Sequence, residues 1–209
     1  MKRLKCDSLS KWLDLQDQCL SSVQLLSKLC DPGSIFLPIR MNMTREEEDF
    51  RLVSGLIDIM RRPVLVLFFN QKIQGGVFTP QMVKQILRVL DVAIANKQPV
   101  LFWGGSAGAD LTEQDKLFVE TGGIYHRLAQ LEKLGVPTIS VVRHVATAGG
   151  AYIPGLCQVV IAIEGAEIYL AGPPLVQAAI GQRVSGDQLG GARMHLEKTG
   201  LVTHVAEDE

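Results

Sequence analysis

Ala146-Thr147-Ala148-Gly149-Gly150-Ala151-Tyr152 is the stretch on which the fold of this chain turns. It follows the apolar run Val136-Pro137-Thr138-Ile139-Ser140-Val141-Val142, so a strand ends in a double-glycine turn and a helix begins beyond it. Glycine has no Cβ, which lets a ligand approach the backbone, and N–H groups at a helix start have no intrahelical acceptor. Donors arranged in this way can hold a developing negative oxygen. Upstream, Pro99-Val100-Leu101-Phe102-Trp103 runs in the same manner into Gly104-Gly105-Ser106-Ala107-Gly108-Ala109. Two such turns can each give one amide to a shared oxyanion hole, or both can be tight packing turns. The residues alone leave both readings open.

Outward from these turns the chain alternates strand and helix signals. Val64-Leu65-Val66-Leu67-Phe68-Phe69 is a continuous apolar run, as expected of a strand covered on both faces, and Gln74-Gly75-Gly76 breaks it. Thr79-Pro80 pairs an N-cap with proline at the first helical position, predicting a helix to about Asn96. Thr112 and Asp115 open a second long helix through Phe118, Ile124, Leu128, Leu131 and Leu134, stopped by Gly135. Residues 158–163 and 167–170 read as short strands, Pro173-Pro174 as a helix start, and Ser185-Gly186-Asp187 as another. Nearer the N-terminus, apolar spacing over residues 9–29 predicts an amphipathic helix closed by Asp31-Pro32-Gly33. Thr44 with Glu46, Glu47 and Glu48 predicts a further helix of about four turns through Phe50, Leu52, Val53, Leu56, Ile57 and Met60. The fold class expected is α/β with largely buried, parallel strands.

The 209 residues suit one domain, and 47% hydrophobic with 21% charged is an ordinary globular balance. A net charge of −1 carries no basic excess for a nucleic acid or an anionic membrane. Cys6, Cys19, Cys30 and Cys157 lie far apart, with no metal-ligand spacing, and read as free thiols. No metal is expected. With neither a signal-peptide core nor an apolar run of membrane-spanning length, the expectation is a soluble, cytoplasmic protein.

Six segments together resemble the N-terminal half of the carboxyltransferase (beta) subunit of biotin-dependent acyl-CoA carboxylases, of the propionyl- and methylcrotonyl-CoA type. They are Leu29-Cys30-Asp31-Pro32-Gly33-Ser34, Ile73-Gln74-Gly75-Gly76, Ser106-Ala107-Gly108-Ala109, Thr147 to Tyr152, Ala171-Gly172-Pro173-Pro174-Leu175-Val176 and Val184 to Ala192. The resemblance implies the crotonase-like fold, a spiral of repeated β-β-α units, over residues 1–209 as a single domain with residues 1–30 as an N-terminal helix. It also implies a function: binding an acyl-CoA or acyl-carrier-protein thioester and stabilising its enolate during carboxyl transfer from carboxybiotin. The stabilising amides would come from Ala107, Gly108 and Ala109 and from Gly149 and Gly150. Gly75 and Gly76 would let the pantetheine arm pass, and Ser106, Ala151 and Tyr152 would lie along the substrate.

No cofactor is expected to be covalently bound. Met41-Asn42-Met43 lacks the lysine of a biotinylation motif, so carboxybiotin would come from a separate carrier protein. The family's second half binds biotin, and the resemblance here ends near Val205-Ala206-Glu207-Asp208-Glu209. A partner half-subunit and a homo- or hetero-oligomer are therefore expected. Three positions depart from the family pattern. Ala107 stands for the usual first glycine, Asp110 for an arginine or hydrophobic residue, and His144 for a glycine ahead of Thr-Ala-Gly-Gly. Asp110 and His144 are candidate pocket residues, Asp110 as an acid or to repel an acidic product and His144 because histidine titrates near neutral pH; the plainer readings are an aspartate that only favours the macrodipole of the helix at Thr112 and a solvated or structurally hydrogen-bonded histidine. Two alternatives accompany the transferase: a biotin-independent malonyl-thioester decarboxylase subunit, which uses the same enolate in reverse, and a non-catalytic scaffold.

Overall fold

The computed structural model describes residues 4–5, 28–39 and 51–208. Its elements in chain order are β1 (Leu4–Lys5), β2 (Ile35–Pro38), β3 (Leu52–Ile59), β4 (Arg62–Phe69), α1 (Pro80–Asn96), β5 (Val100–Trp103), α2 (Gln114–Lys133), β6 (Thr138–Val142) and β7 (Val145–Thr147). Then follow α3 (Tyr152–Leu156), β8 (Val159–Ile163), β9 (Glu167–Tyr169), α4 (Pro173–Ile180), α5 (Gly186–Gly190), α6 (Ala192–Met194) and β10 (His204–Ala206). One sheet runs β1-β2-β3-β4-β5-β6-β8-β10, and β7 pairs with β9 in a second, two-stranded sheet. Pairing is antiparallel from β1 to β4 and parallel from β4 onward. The units β3-β4-α1, β6-β7-α3 and β8-β9-α4 repeat a strand-strand-helix plan.

The apolar run in β4 is continuous because both faces of the sheet are covered. Leu65, Leu67 and Phe69 face α1 and α2, whose Met82, Ile86, Leu90, Leu117, Ile124, Leu128 and Leu131 complete one core. The alternate residues Val66 and Phe68 join Phe36, Ile57, Leu101, Trp103 and Val141 in a second core on the opposite face. Each such buried Leu or Phe contributes roughly 1.5–3 kcal/mol relative to leaving it exposed. A third core, rich in alanine, lies between β8, β9 and α6. Thr79 caps α1 as its sequence indicates, its hydroxyl accepting from Met82 N at 3.2 Å, and Lys97 ends the helix in a left-handed conformation.

The helix expected over residues 44–60 is corrected by the structure. Residues 52–59 form β3, paired one to one with β4 from Leu52–Phe69 to Ile59–Arg62; the earlier part of that stretch lies outside the described residues. Leu52, Val53, Leu56 and Ile57 satisfy a helical spacing, but they also suit a strand buried on both faces. Tertiary contacts decide between the two. Asp31 accepts from the amides of Met60 and Arg61, both left-handed, and so clamps the β3–β4 turn; the Phe36 ring lies where a Cβ on Gly55 would stand. Of the helix expected over residues 9–29, Lys28 and Leu29 are helical and the rest lies outside the described residues.

Candidate active site

The turn after β5 is built around Ser106, which is 2% exposed. Its hydroxyl donates to the Gly76 carbonyl at 2.7 Å and accepts from the Gly108 amide at 3.1 Å. The Ala107 amide donates to Gly75 O at 3.1 Å, so two of the three amides in this turn are already used. Beyond them, Phe78 and Ala109 form a parallel bridge in which Phe78 N donates to Gly108 O and Asp110 N to Phe78 O. That bridge uses both main-chain groups of Phe78 and turns the amide of Ala109 to the other side. Gly108 holds φ at +94°, a value natural only to glycine.

The turn after β7 meets this one directly. Thr147 N donates to Ser106 O at 2.9 Å, and residues Ala148–Ala151 form a short 3₁₀ turn leading into α3. A Cβ on Gly150 would overlap the Ser106 carbonyl oxygen. Gly149 stands at the start of the 3₁₀ turn, where amides lack an intrahelical acceptor. The Cβ position of Gly108 lies 3.2 Å from Gly149 N, and that of Gly149 lies 4.0 Å from Ala109 N. The amides of Ala109 and Gly149, from separate strand ends, are thus close neighbours.

Both turns border a cleft of about 1000 Å³. Its lining is mainly apolar, with Val77 and Phe78 on one side, Leu170 and Leu175 on another, and Phe118, Thr121, Gly122 and Tyr125 contributed by one face of α2. Asp110 is the one formally charged side chain among the described lining residues. Its carboxylate accepts from both the amide and the hydroxyl of Thr112, and these two bonds hold its pKa below the usual carboxylate range. It is therefore ionised at neutral pH. Tyr152 also lines the cleft and packs on Tyr125 with ring centroids 5.0 Å apart.

Of the residues singled out in the sequence, Ala107, Ala109, Asp110, Gly149 and Tyr152 border the cleft. Ser106, Gly108 and Gly75 lie just behind it as supports of the first turn. Gly76 packs on Gly105 O and Gln71, and Gly150 and Ala151 are buried beneath the second turn. His144 is exposed at the corner between β6 and β7, outside the lining, where its carbonyl accepts from Glu167 N at 2.8 Å. Sequence reasoning assigned no site role to Tyr125, Thr121 or Gly122, which also line the cleft. Phe118, which belongs to the apolar pattern that marks α2 in the sequence, is 77% exposed at the cleft. The spacing Phe118, Thr121/Gly122, Tyr125 marks a second face of that helix and is the signal that was available.

Burial raises the Cys157 thiol to about 12, so it is no nucleophile. Among the described residues there is no cluster of metal-ligating side chains, and no helix is long and apolar enough to cross a membrane.

Comparison with known proteins places this geometry in context. A carboxyl transferase domain model matches residues 20–209. A probable biotin-dependent acyl-coenzyme A carboxylase beta2 subunit of Mycobacterium tuberculosis is 34% identical over 194 residues, covering 91% of this chain and 37% of the relative. The beta subunit of geranyl-CoA carboxylase from P. aeruginosa superposes with a TM-score of 0.80 at 31% identity, over 97% of this chain and 39% of that one. A Pseudomonas malonate decarboxylase heterodimer superposes at 0.71 with 19% identity, over 87% and 76%, a likeness of fold alone. The chain spans little more than a third of the length of the curated relatives it matches.

Proposed function

Because this chain belongs to the carboxyl transferase domain family and has the crotonase-like fold of its solved relatives, we propose that it binds an acyl-CoA thioester in the cleft and stabilises the enolate formed there during biotin-dependent carboxyl transfer. One observation carries the reading: two amides from separate strand ends, Ala109 and Gly149, stand side by side at the wall of an apolar cleft. A thioester oxygen placed between them gains negative charge as the α-proton leaves. Fixed N–H dipoles at that point stabilise the enolate more than the ground state, and one such donor lowers the barrier by on the order of 3 kcal/mol. Carboxybiotin on a separate carrier would supply the carboxyl group, and its ureido nitrogen, freed by breaking of the N–carboxyl bond, would accept the α-proton.

The remaining residues bind and orient. Val77, Phe78, Phe118 and Leu175 offer apolar surface to the acyl and pantetheine chains, and Tyr152 covers them. Gly75 and Gly76, with Ser106, hold the first turn at the depth the thioester needs. The Asp110 carboxylate raises the energy of a newly carboxylated product and so favours its release. Residues 1–209 serve as one domain, completed by a second carboxyltransferase half and a biotin carrier in an oligomer.

The test is product formation. Incubated with a complementary carboxyltransferase half, carboxybiotin and propionyl- or 3-methylcrotonyl-CoA, the chain is expected to give the carboxylated thioester by mass spectrometry. Loss of carbon dioxide from malonyl-CoA without biotin would move the assignment to a decarboxylase. Absence of both turnover and thioester binding would leave a scaffold.

A further inference from the structure

We propose that the Tyr125 hydroxyl is a positioning group for enolate stabilisation: by binding the Gly149 carbonyl it holds the Gly149-Gly150 peptide with its oxygen turned away from the thioester oxygen, which the Gly149 amide of the preceding peptide meets. This rests on the reading of the cleft as a thioester site. Tyr125 lies on the cleft face of α2, and its hydroxyl donates to Gly149 O at 2.8 Å. The hydroxyl oxygen is also 3.2 Å from the point where a Cβ on Gly149 would stand.

The need for such a tether follows from the sequence of the turn. Two adjacent glycines have no side chain to restrict their dihedrals, so the peptide between them can rotate at little steric cost. Rotation that brought the Gly149 carbonyl into the cleft would set a negative oxygen where negative charge develops. The first turn avoids this through main-chain bonds, with Phe78 N on Gly108 O and the Ser106 hydroxyl on Gly108 N. In the second turn a side chain from a distant helix supplies the bond. The tyrosine ring is held in turn by its contact with Tyr152. Burial and the neighbouring Tyr152 raise the Tyr125 hydroxyl to about 12, so it remains a donor at any working pH.

Tyr125→Phe keeps the ring and its packing and removes the hydroxyl alone. The readout is the carbonyl stretch of propionyl-CoA, carbon-13 labelled at the thioester, bound to the full chain and recorded by isotope-edited difference infrared spectroscopy. Wild type is expected to shift that stretch to lower wavenumber. Y125F is expected to lose most of the shift while its Kd for propionyl-CoA changes by less than about threefold, because the lost bond acts on the carbonyl rather than on the acyl chain. In the reconstituted transferase kcat should fall about tenfold with KM unchanged. Tyr169→Phe removes a tyrosine hydroxyl outside the cleft lining, one that donates to Glu167 at 2.8 Å, and should keep the wild-type shift. A wild-type shift in Y125F, or an equal loss in both variants, would overturn the positioning role while the thioester site stands. No shift in wild type with either propionyl- or 3-methylcrotonyl-CoA would overturn the thioester site, and the role of Tyr125 with it.

Discussion

The two glycine turns differ in what each glycine does. In the first, Gly105 packs against Val145 O and Gly108 supplies a left-handed bend beside the cleft. In the second, Gly150 presses on Ser106 O while Gly149 borders the cleft, where its amide serves in the function proposed above. A Gly-Gly pair is thus divided between packing and presentation. The packing member allows two strand ends to touch; the other borders the cleft because that contact exists. Removing a packing glycine should therefore damage the fold and the site together, whereas altering a presenting one should affect chemistry more than stability.

The largest effect is expected at Gly150. Gly150→Val forces a side chain into the Ser106 backbone, which cannot yield cheaply, and should destabilise the protein by about 3 kcal/mol or more. For a chain of this size that is a fall of roughly 6–12 °C in melting temperature, read by calorimetry. If G150V melts like wild type, the two turns are not in the contact described.

Ser106→Ala should come next. It leaves a buried carbonyl at Gly76 and a buried amide at Gly108 without their partner, at about 2 kcal/mol in a urea unfolding experiment. Gly149→Ala should separate stability from chemistry. Its new methyl is crowded only by the Tyr125 hydroxyl, the far end of a side chain, with Gly108 Cα and Ala109 N at ordinary contact distance, so the expected stability loss is under about 1 kcal/mol with a roughly tenfold fall in kcat. Equal loss of stability in G149A and G150V would erase the distinction between packing and presenting glycines.

The smallest effect belongs to Asp110. Its folded pKa is lowered by Thr112, so what it contributes to stability is present above the unfolded value near 3.8 and is lost as pH falls through the lowered folded value. Asp110→Asn should remove that acid sensitivity. At neutral pH it should tighten binding of a carboxylated CoA product about two- to fivefold, measured by calorimetric titration at low salt.

Legibility varied along the chain for physical reasons. The caps and breakers of α1, Thr79-Pro80 and Lys97, act within a few residues, and the end of that helix was read correctly. β3 was not, since Leu52, Val53, Leu56 and Ile57 fit either period once both strand faces are buried, and what selects the strand is pairing with β4 and the approach of Phe36 and Asp31. The glycine turns were visible, but not the division of labour within them. The contribution of α2 to the cleft was missed because Leu117 and Phe118, adjacent and both apolar, point to opposite environments, core and cleft.

By itself the sequence determined the alternation of strands and helices, the places where strands end in glycine, and the family likeness, because each is written in neighbouring residues and their order. The tertiary structure alone decided which amides stay available. Ala107 and Gly108 lose theirs to Gly75 and Ser106, Ala109 keeps its own through the bridge to Phe78, and Gly149 is steadied by a tyrosine 24 residues away. An amide's partner is set by where distant segments meet in space.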